Sequence, residues 1–193
     1  VKTIYNRASH VIYPPVNINK FQLKIKKDNF YLAASRIVPY KKIKLIVEAF
    51  IDMPEKKLVV IGKGPGLKEL QNIATKNIEI LGFQPFNILH DYMKRAKAFV
   101  FAAEEDFGII AVEAQACGTP VIGFKKGGLL ETIIEYKTGL FFKEQSIPSI
   151  INAIKKFETI SQNFIPEEIR SHAMQFGESN FKREFKKYLN NCI

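Results

Sequence analysis

Glu105 and Glu113 are the side chains whose types and spacing point most directly to chemistry. Both lie in FVFAAEEDFGIIAVEAQACGTPVIGF, residues 99–124, with seven residues between them. The first falls in an acidic turn that closes on Phe107 and Gly108; the second falls about one turn inside a helix ending at Gly118. Were the intervening residues all helical, the carboxylates would stand ~12 Å apart along the axis, beyond the ~5–9.5 Å at which paired acids flank a glycosidic bond in hydrolases. The pair is therefore no hydrolytic dyad. It suits instead a ligand with hydroxyls at both ends and negative charge in the middle, because the free N–H groups of Phe107 to Ile110 at the helix start lie between the two acceptors. Ile109, Ile110, Ala111, Val112, Ala114, Ala116 and Cys117 make that helix apolar or small on nearly every side, so a carboxylate at 113 has to face a cleft or a fixed partner. Spacing alone leaves a second reading open, in which Glu105 and Asp106 are first-turn acids favoured by the helix dipole and Glu113 is a satisfied core carboxylate.

A cationic pair stands earlier in the chain. Arg36 and Lys41 flank the first strand-to-helix turn in SRIVPYKK. Lysines 41 and 42 at a helix N-terminus oppose the helix dipole, a cost that makes sense if an anion binds there. A guanidinium grips two phosphate oxygens and a lysine adds a compact charge, so Arg36 with Lys41 suits a diphosphate, while Lys42 reads as a solvated surface charge. The glycine turn Gly62-Lys63-Gly64-Pro65-Gly66 raises the question of a dinucleotide site. The third glycine of that fingerprint would fall on Leu67, and Gly82, Phe83 and Gln84 stand where a ribose-binding acid is required, which excludes it. His10, His90 and His172 are scattered, and neither they nor any D-x-D run forms a metal-ligand grouping.

These residues need elements to position them. From Asn29 the chain alternates: strand Phe30–Ala34, helix Lys41–Ile51, strand Lys57–Ile61, a helix from Pro65, strand Ile78–Leu81, helix Phe86–Lys94, and strand Ala98–Ala102. The Glu113 helix, strand Pro120–Phe124 and helix Leu129–Ile134 follow. Such alternation predicts an α/β, doubly wound parallel sheet of Rossmann-like type, with ligands beyond the carboxyl ends of the strands. One domain spans residues 1–193: a lead-in over 1–29, broken by Pro14-Pro15, and terminal helices over 143–193 after a last short strand at Gly139–Phe142.

Composition bounds the partners. With 193 residues and 47% hydrophobic residues the chain can bury a sizeable core. Its net charge of +10 could serve an anionic membrane surface or a phosphorylated small molecule; the lysines are scattered and the sixteen Phe form no interleaved pattern, which argues against nucleic acid. Two cysteines are too few for a disulfide framework, and a reducing cytoplasm is the simplest setting. No apolar run approaches the ~20 residues of a membrane span. The chain opens on Val1, as a piece of a longer protein would.

The run EEDFGIIAVE, followed by AQACGTPVIGFKKGGLLETII and TGLFF, resembles the C-terminal, donor-binding domain of family-four retaining glycosyltransferases of GT-B fold, and is most similar to bacterial O-chain mannosyltransferases. The likeness covers roughly Val11 to Phe142. It implies a catalytic set of Arg36 and Lys41 on a diphosphate and Glu105 on the transferred sugar. Around these, Glu113 would hold the ribose, the amides of Phe107, Gly108 and Ile109 would cradle the donor, and Phe83, Gln84, Gly62 and Gly64 would line the nucleotide cleft. It also implies GDP-mannose as donor, no metal or other cofactor, and a glycan or lipid-linked acceptor held by a preceding N-terminal domain. A cytoplasmic site of action follows, peripheral on the inner membrane face. A UDP-sugar donor, a non-catalytic sugar-nucleotide-binding module and a sugar-nucleotide epimerase are the competing expectations. Ala111, where relatives often carry Pro, and Lys125-Lys126 depart from the family's pattern.

Overall fold

Six short apolar runs form one parallel sheet in a computed structural model that describes residues 2–192. They are β1 (Tyr31–Ala34), β2 (Leu58–Ile61), β3 (Ile78–Gly82), β4 (Ala98–Phe101), β5 (Val121–Phe124) and β6 (Gly139–Phe142). Strands β1, β2, β4 and β5 are buried at every position, as strands covered on both faces must be. The helices are α1 (Lys2–Tyr5), α2 (Ile43–Ile51), α3 (Leu67–Ile73), α4 (Phe86–Arg95), α5 (Ile109–Ala116), α6 (Leu129–Thr132), α7 (Ile147–Ile160), α8 (Pro166–Ala173) and α9 (Glu178–Cys192). Val1, the residue on which the expectation of a preceding segment rested, lies outside the described residues.

The strand order is β3-β2-β1-β4-β5-β6. The chain winds outward from β1 to β3, then crosses back to lay β4 against β1, with Tyr31 in register with Ala98 and Leu32 with Phe99. Doubly wound sheets bind ligands where the direction of winding reverses, here at the carboxyl ends of β1 and β4. Alternate strand residues enter two cores. Tyr31, Ala33, Leu58 and Val60 pack with Ile46, Val47 and Phe50 of α2 and Ile154 and Phe157 of α7. Leu32, Ala34, Val59 and Phe99 pack on the other face with Met93 of α4 and Ala111, Val112 and Ala114 of α5.

Two local features differ from the sequence expectation. The helix expected at Lys41 begins at Ile43; Pro39–Lys41 form a separate 3-10 turn, and Lys42 takes a left-handed conformation at φ 55°. The fixed φ of Pro39 starts that tighter turn, and it ends before the helix does its work. Lys41 is consequently released from the α2 dipole and reaches across towards the β4 side. The second difference lies in residues 16–28, which pack into the domain. Val16 donates from its N–H to the Phe176 carbonyl at 2.9 Å and bridges Gly177, while Ile18 and Phe21 are buried.

That early segment also fixes α5. Lys27 Nζ donates to the carbonyls of Lys94 (3.0 Å) and Cys117 (2.9 Å) and to Thr119 Oγ1 (2.9 Å). Arg170 of α8 donates to the carbonyls of Phe21 (2.7 Å) and Ala116. Two cations thus satisfy the carboxyl-terminal ends of α4 and α5, where the helix dipole favours positive charge. Burial lowers the Lys27 amine to about 8, the cost of holding it there.

Candidate functional site

The turn after β1 and the turn after β4 face each other across a cleft of about 610 Å³, at the reversal of the sheet. Ser35, Arg36, Tyr40 and Lys41 line it from one side. Glu104 to Ile110 and Glu113 line it from the other. Arg36, Lys41, Glu105, Phe107, Gly108, Ile109 and Glu113, seven of the residues singled out in the sequence, therefore share one cavity.

On the β1 side the strand hands over to the Ser35–Lys41 turn, whose shape is set by its neighbour. Ser35 N–H donates to the Ile61 carbonyl at 3.1 Å and Ile37 N–H to the Lys63 carbonyl at 2.9 Å, so the β2 turn runs alongside. The approach is close enough that a Cβ at Gly62 would stand 1.8 Å from the Ser35 carbonyl oxygen, and one at Gly64 2.2 Å from that of Ile37. Only glycine permits it. Gly62 and Gly64 thus support the cationic turn from behind without lining the cleft. Phe83 and Gln84 stand past the end of β3, two strands from β1, and do not line it either. Phe83 is exposed beneath the Lys63 ammonium at 4.9 Å, and Gln84 is tied to the Leu81 carbonyl at 2.8 Å.

On the β4 side Gly108, at φ 81°, turns the acidic loop into α5. No side chain caps the start of that helix, so its first N–H groups are presented to the cleft. The loop is braced from outside. Gly128 N–H donates to the Glu105 carbonyl at 2.7 Å, and the Phe107 ring stacks on Tyr13 at 5.7 Å between centroids. Tyr13 in turn donates its hydroxyl to Glu131, which pushes up the phenol's pKa.

Charge in the cleft is uneven. Lys41 Nζ and a Glu105 carboxylate oxygen form an ion pair, both side chains mostly buried at 14% and 21% exposure. Arg36 is exposed and donates to the Tyr40 hydroxyl at 2.9 Å; among the described residues no carboxylate pairs with it. Glu113 is half-buried, with no hydrogen bond or ion pair seen among the described residues, and burial raises its carboxyl from 4.5 to about 7. A carboxylate held in an apolar helix without a partner is poised to accept hydrogen bonds from whatever enters. Positive charge, uncapped helix amides and carboxylate acceptors thus line one cleft.

Ser35, Tyr40 and Glu104 line the cleft without having been singled out from sequence. Tyr40 carried a signal: a large aromatic between Pro39 and Lys41, in a turn with no apolar period to place it inside. The histidines serve structure. His90 accepts from the Gln22 N–H at 2.9 Å, His172 meets the Thr132 carbonyl at 3.1 Å, and His10 stacks on Tyr188. Lys126 pairs with Glu104 at 3.1 Å at the cleft's rim, and Lys125 with Glu135 at 2.9 Å.

Comparison with known proteins agrees with this geometry. Residues 16–179 match the family of glycosyl transferases group 1. The chain is 31% identical over 175 residues to the uncharacterized glycosyltransferase MJ1178 of Methanocaldococcus jannaschii, covering 84% of this chain and 49% of that protein. It is 28% identical over 137 residues to the GDP-mannose-dependent alpha-(1-6)-phosphatidylinositol monomannoside mannosyltransferase of Mycolicibacterium smegmatis, covering 62% of this chain and 36% of that one. It superimposes on Anabaena Alr3699/HepE in complex with UDP-glucose with a TM-score of 0.79 at 22% identity, over 94% of this chain and 57% of that one. The chain spans about half or less of these curated relatives' length. With the match running from Val16, the first buried residue among those described, to the start of α9, this chain belongs to the glycosyl transferases group 1 family.

Proposed function

We propose that this chain is the donor-binding domain of a retaining glycosyltransferase that takes GDP-mannose and passes mannose to a growing lipopolysaccharide O-chain or related glycan. The observation that carries the reading is the convergence of Arg36, Lys41, Glu105 and Glu113 on one cleft at the reversal of the sheet. Arg36 and Lys41 neutralise the diphosphate, and their stabilisation grows as the leaving group gains charge and the sugar becomes oxocarbenium-like. The reading invokes no metal or other cofactor. Glu113 accepts hydrogen bonds from the ribose hydroxyls, and the amides of Phe107, Gly108 and Ile109 hold the sugar side. Phosphate replaces Glu105 as the partner of Lys41, which leaves Glu105 free to hold hydroxyls of the transferred sugar. Phe83 and Gln84 lie towards the base. The acceptor is held by a preceding domain, and the enzyme works at the cytoplasmic face of the membrane, drawn to anionic lipid by its positive charge.

The likeness to the GDP-mannose-dependent relative of Mycolicibacterium smegmatis supports the choice of donor. Calorimetry of the chain with GDP-mannose, UDP-glucose, UDP-N-acetylglucosamine and ADP-glucose tests it. GDP-mannose should bind tightest. Preference for a UDP-sugar overturns the donor and leaves the site standing, and binding of none overturns the site itself. Transfer by the full-length enzyme, with conversion of donor absent when acceptor is withheld, separates a transferase from a binding module and from an epimerase.

A further inference from the structure

Tyr40 has no packing reason to be where it is. It occupies the middle of the Pro39–Lys41 turn, its ring is 51% exposed, and it belongs to neither core. Its observed contacts among the described residues are with the two cations of the cleft. The hydroxyl accepts from the Arg36 guanidinium at 2.9 Å, and the Lys41 ammonium lies 5.0 Å from the ring centroid.

Lys41 is already paired with Glu105, whereas an exposed arginine with no carboxylate partner among the described residues samples many rotamers. The Tyr40 hydroxyl restrains that arginine, and its ring face gives Lys41 a second contact beside the carboxylate. The hydroxyl limits the guanidinium to one direction, the ring face attracts the ammonium, and neither neutralises the charge as a carboxylate would. A carboxylate at the same place would leave less net attraction for an anion. The Arg36 contact also lowers the phenol's pKa, as a donor facing the oxygen must.

We propose that Tyr40 is a positioning residue for the anion site, holding Arg36 through its hydroxyl and Lys41 through its ring in the arrangement that receives the diphosphate of a nucleotide sugar. This rests on the assignment of Arg36 and Lys41 to the diphosphate. Tyr40 acts through those two cations, so its effect depends on them. The hydroxyl and the ring have separable parts.

The test is a double-mutant cycle on the full chain, with GDP, UDP and inorganic pyrophosphate as probes in calorimetry at low salt. Tyr40→Phe keeps the ring and loses the hydroxyl, and should weaken the best-bound probe roughly five- to tenfold, the range of one hydrogen bond. Tyr40→Leu should weaken it further. In the Arg36→Ala background Tyr40→Phe should change affinity less than twofold, because the partner it positions is gone. Melting temperatures should match the parent, since the residue is exposed. Unchanged affinity in Tyr40→Phe overturns the proposal, as does an equal loss with and without Arg36. A failure of Arg36→Ala alone to weaken any probe refutes the anion site itself, a distinct outcome.

Discussion

Lys41 and Glu105 face each other as an ion pair across the reversal of the sheet, one from the turn after β1 and the other from the turn after β4. The two residues assigned to neighbouring parts of the donor are thus each other's partner. A phosphate entering the cleft has to compete with a carboxylate already seated. Glu105→Gln keeps the shape and removes the competing charge, so it should tighten free GDP or UDP severalfold, whereas Lys41→Ala should weaken both. Transfer by the full-length enzyme should fall in both variants. Weaker nucleotide binding in Glu105→Gln would falsify the competition.

Among the described residues no carboxylate competes for Arg36, whose observed partner is the neutral Tyr40 hydroxyl. Arg36→Ala should cost roughly 10- to 100-fold in nucleoside diphosphate affinity, as expected for a charge-assisted contact. The difference from the parent should shrink as ionic strength rises, because salt screens an exposed guanidinium. A loss independent of salt, in a titration from low to high sodium chloride, points to a damaged fold.

Glu113 supplies a pH dependence with a defined sign. Its carboxyl titrates near 7 in the folded chain against 4.5 for an ordinary glutamate, so between those values the folded state keeps a proton that the unfolded chain has lost. Stability should therefore fall as pH rises from about 4.5 to about 7 and then level, and Glu113→Gln should remove that slope. Urea midpoints of parent and variant across this range check it. Nucleotide binding should show the opposite trend, because the ionised carboxylate is the better acceptor for ribose hydroxyls, and binding near pH 6.5 should release protons. Calorimetry in buffers of different ionisation heat reads that release; uptake in its place counts against Glu113 as the ribose acceptor.

Gly128 braces the acidic loop at a distance no side chain permits. A Cβ there would lie 2.2 Å from the Asp106 carbonyl oxygen and 2.4 Å from Phe107 Cα. Gly128→Ala should lower stability by about 1–3 kcal/mol, the usual cost of overpacking, and should weaken nucleotide binding by displacing the start of α5. The urea midpoint and GDP affinity measure the two effects; an unshifted midpoint with full affinity means the loop yields freely.

Much of this was legible in the sequence because the signals were periodic or incompatible with any other place. Alternating apolar runs announced the sheet, and a glutamate among Ala, Val and Ile announced a cleft. What stayed hidden was tertiary. Nothing in the spacing of Lys41 and Glu105 says that they pair, since the contact depends on β4 returning to lie beside β1. The 3-10 turn at Pro39–Lys41 was masked by the apolar period of α2, which made the helix look two residues longer than it is. Phe83, Gln84, Gly62 and Gly64 were assigned to the nucleotide cleft by resemblance, and they stand behind or beside the charged cavity. Residues 16–28 looked like a Lys-rich polar stretch after Pro14-Pro15, yet Lys27 is partly buried because two helix ends supply its acceptors.

The capping of α5 from both directions along the chain has a consequence for synthesis. The carbonyls at its end wait for Lys27, which is made before any strand of the sheet, and for Arg170, which is made after all six; Val16 likewise waits for Phe176 and Gly177. A nascent chain that has already emitted all six strands still lacks the residues that close the domain around its central helix. Vectorial folding therefore stalls one step short of completion, and chains truncated before α8 should be recognised by chaperones and proteases as unfinished.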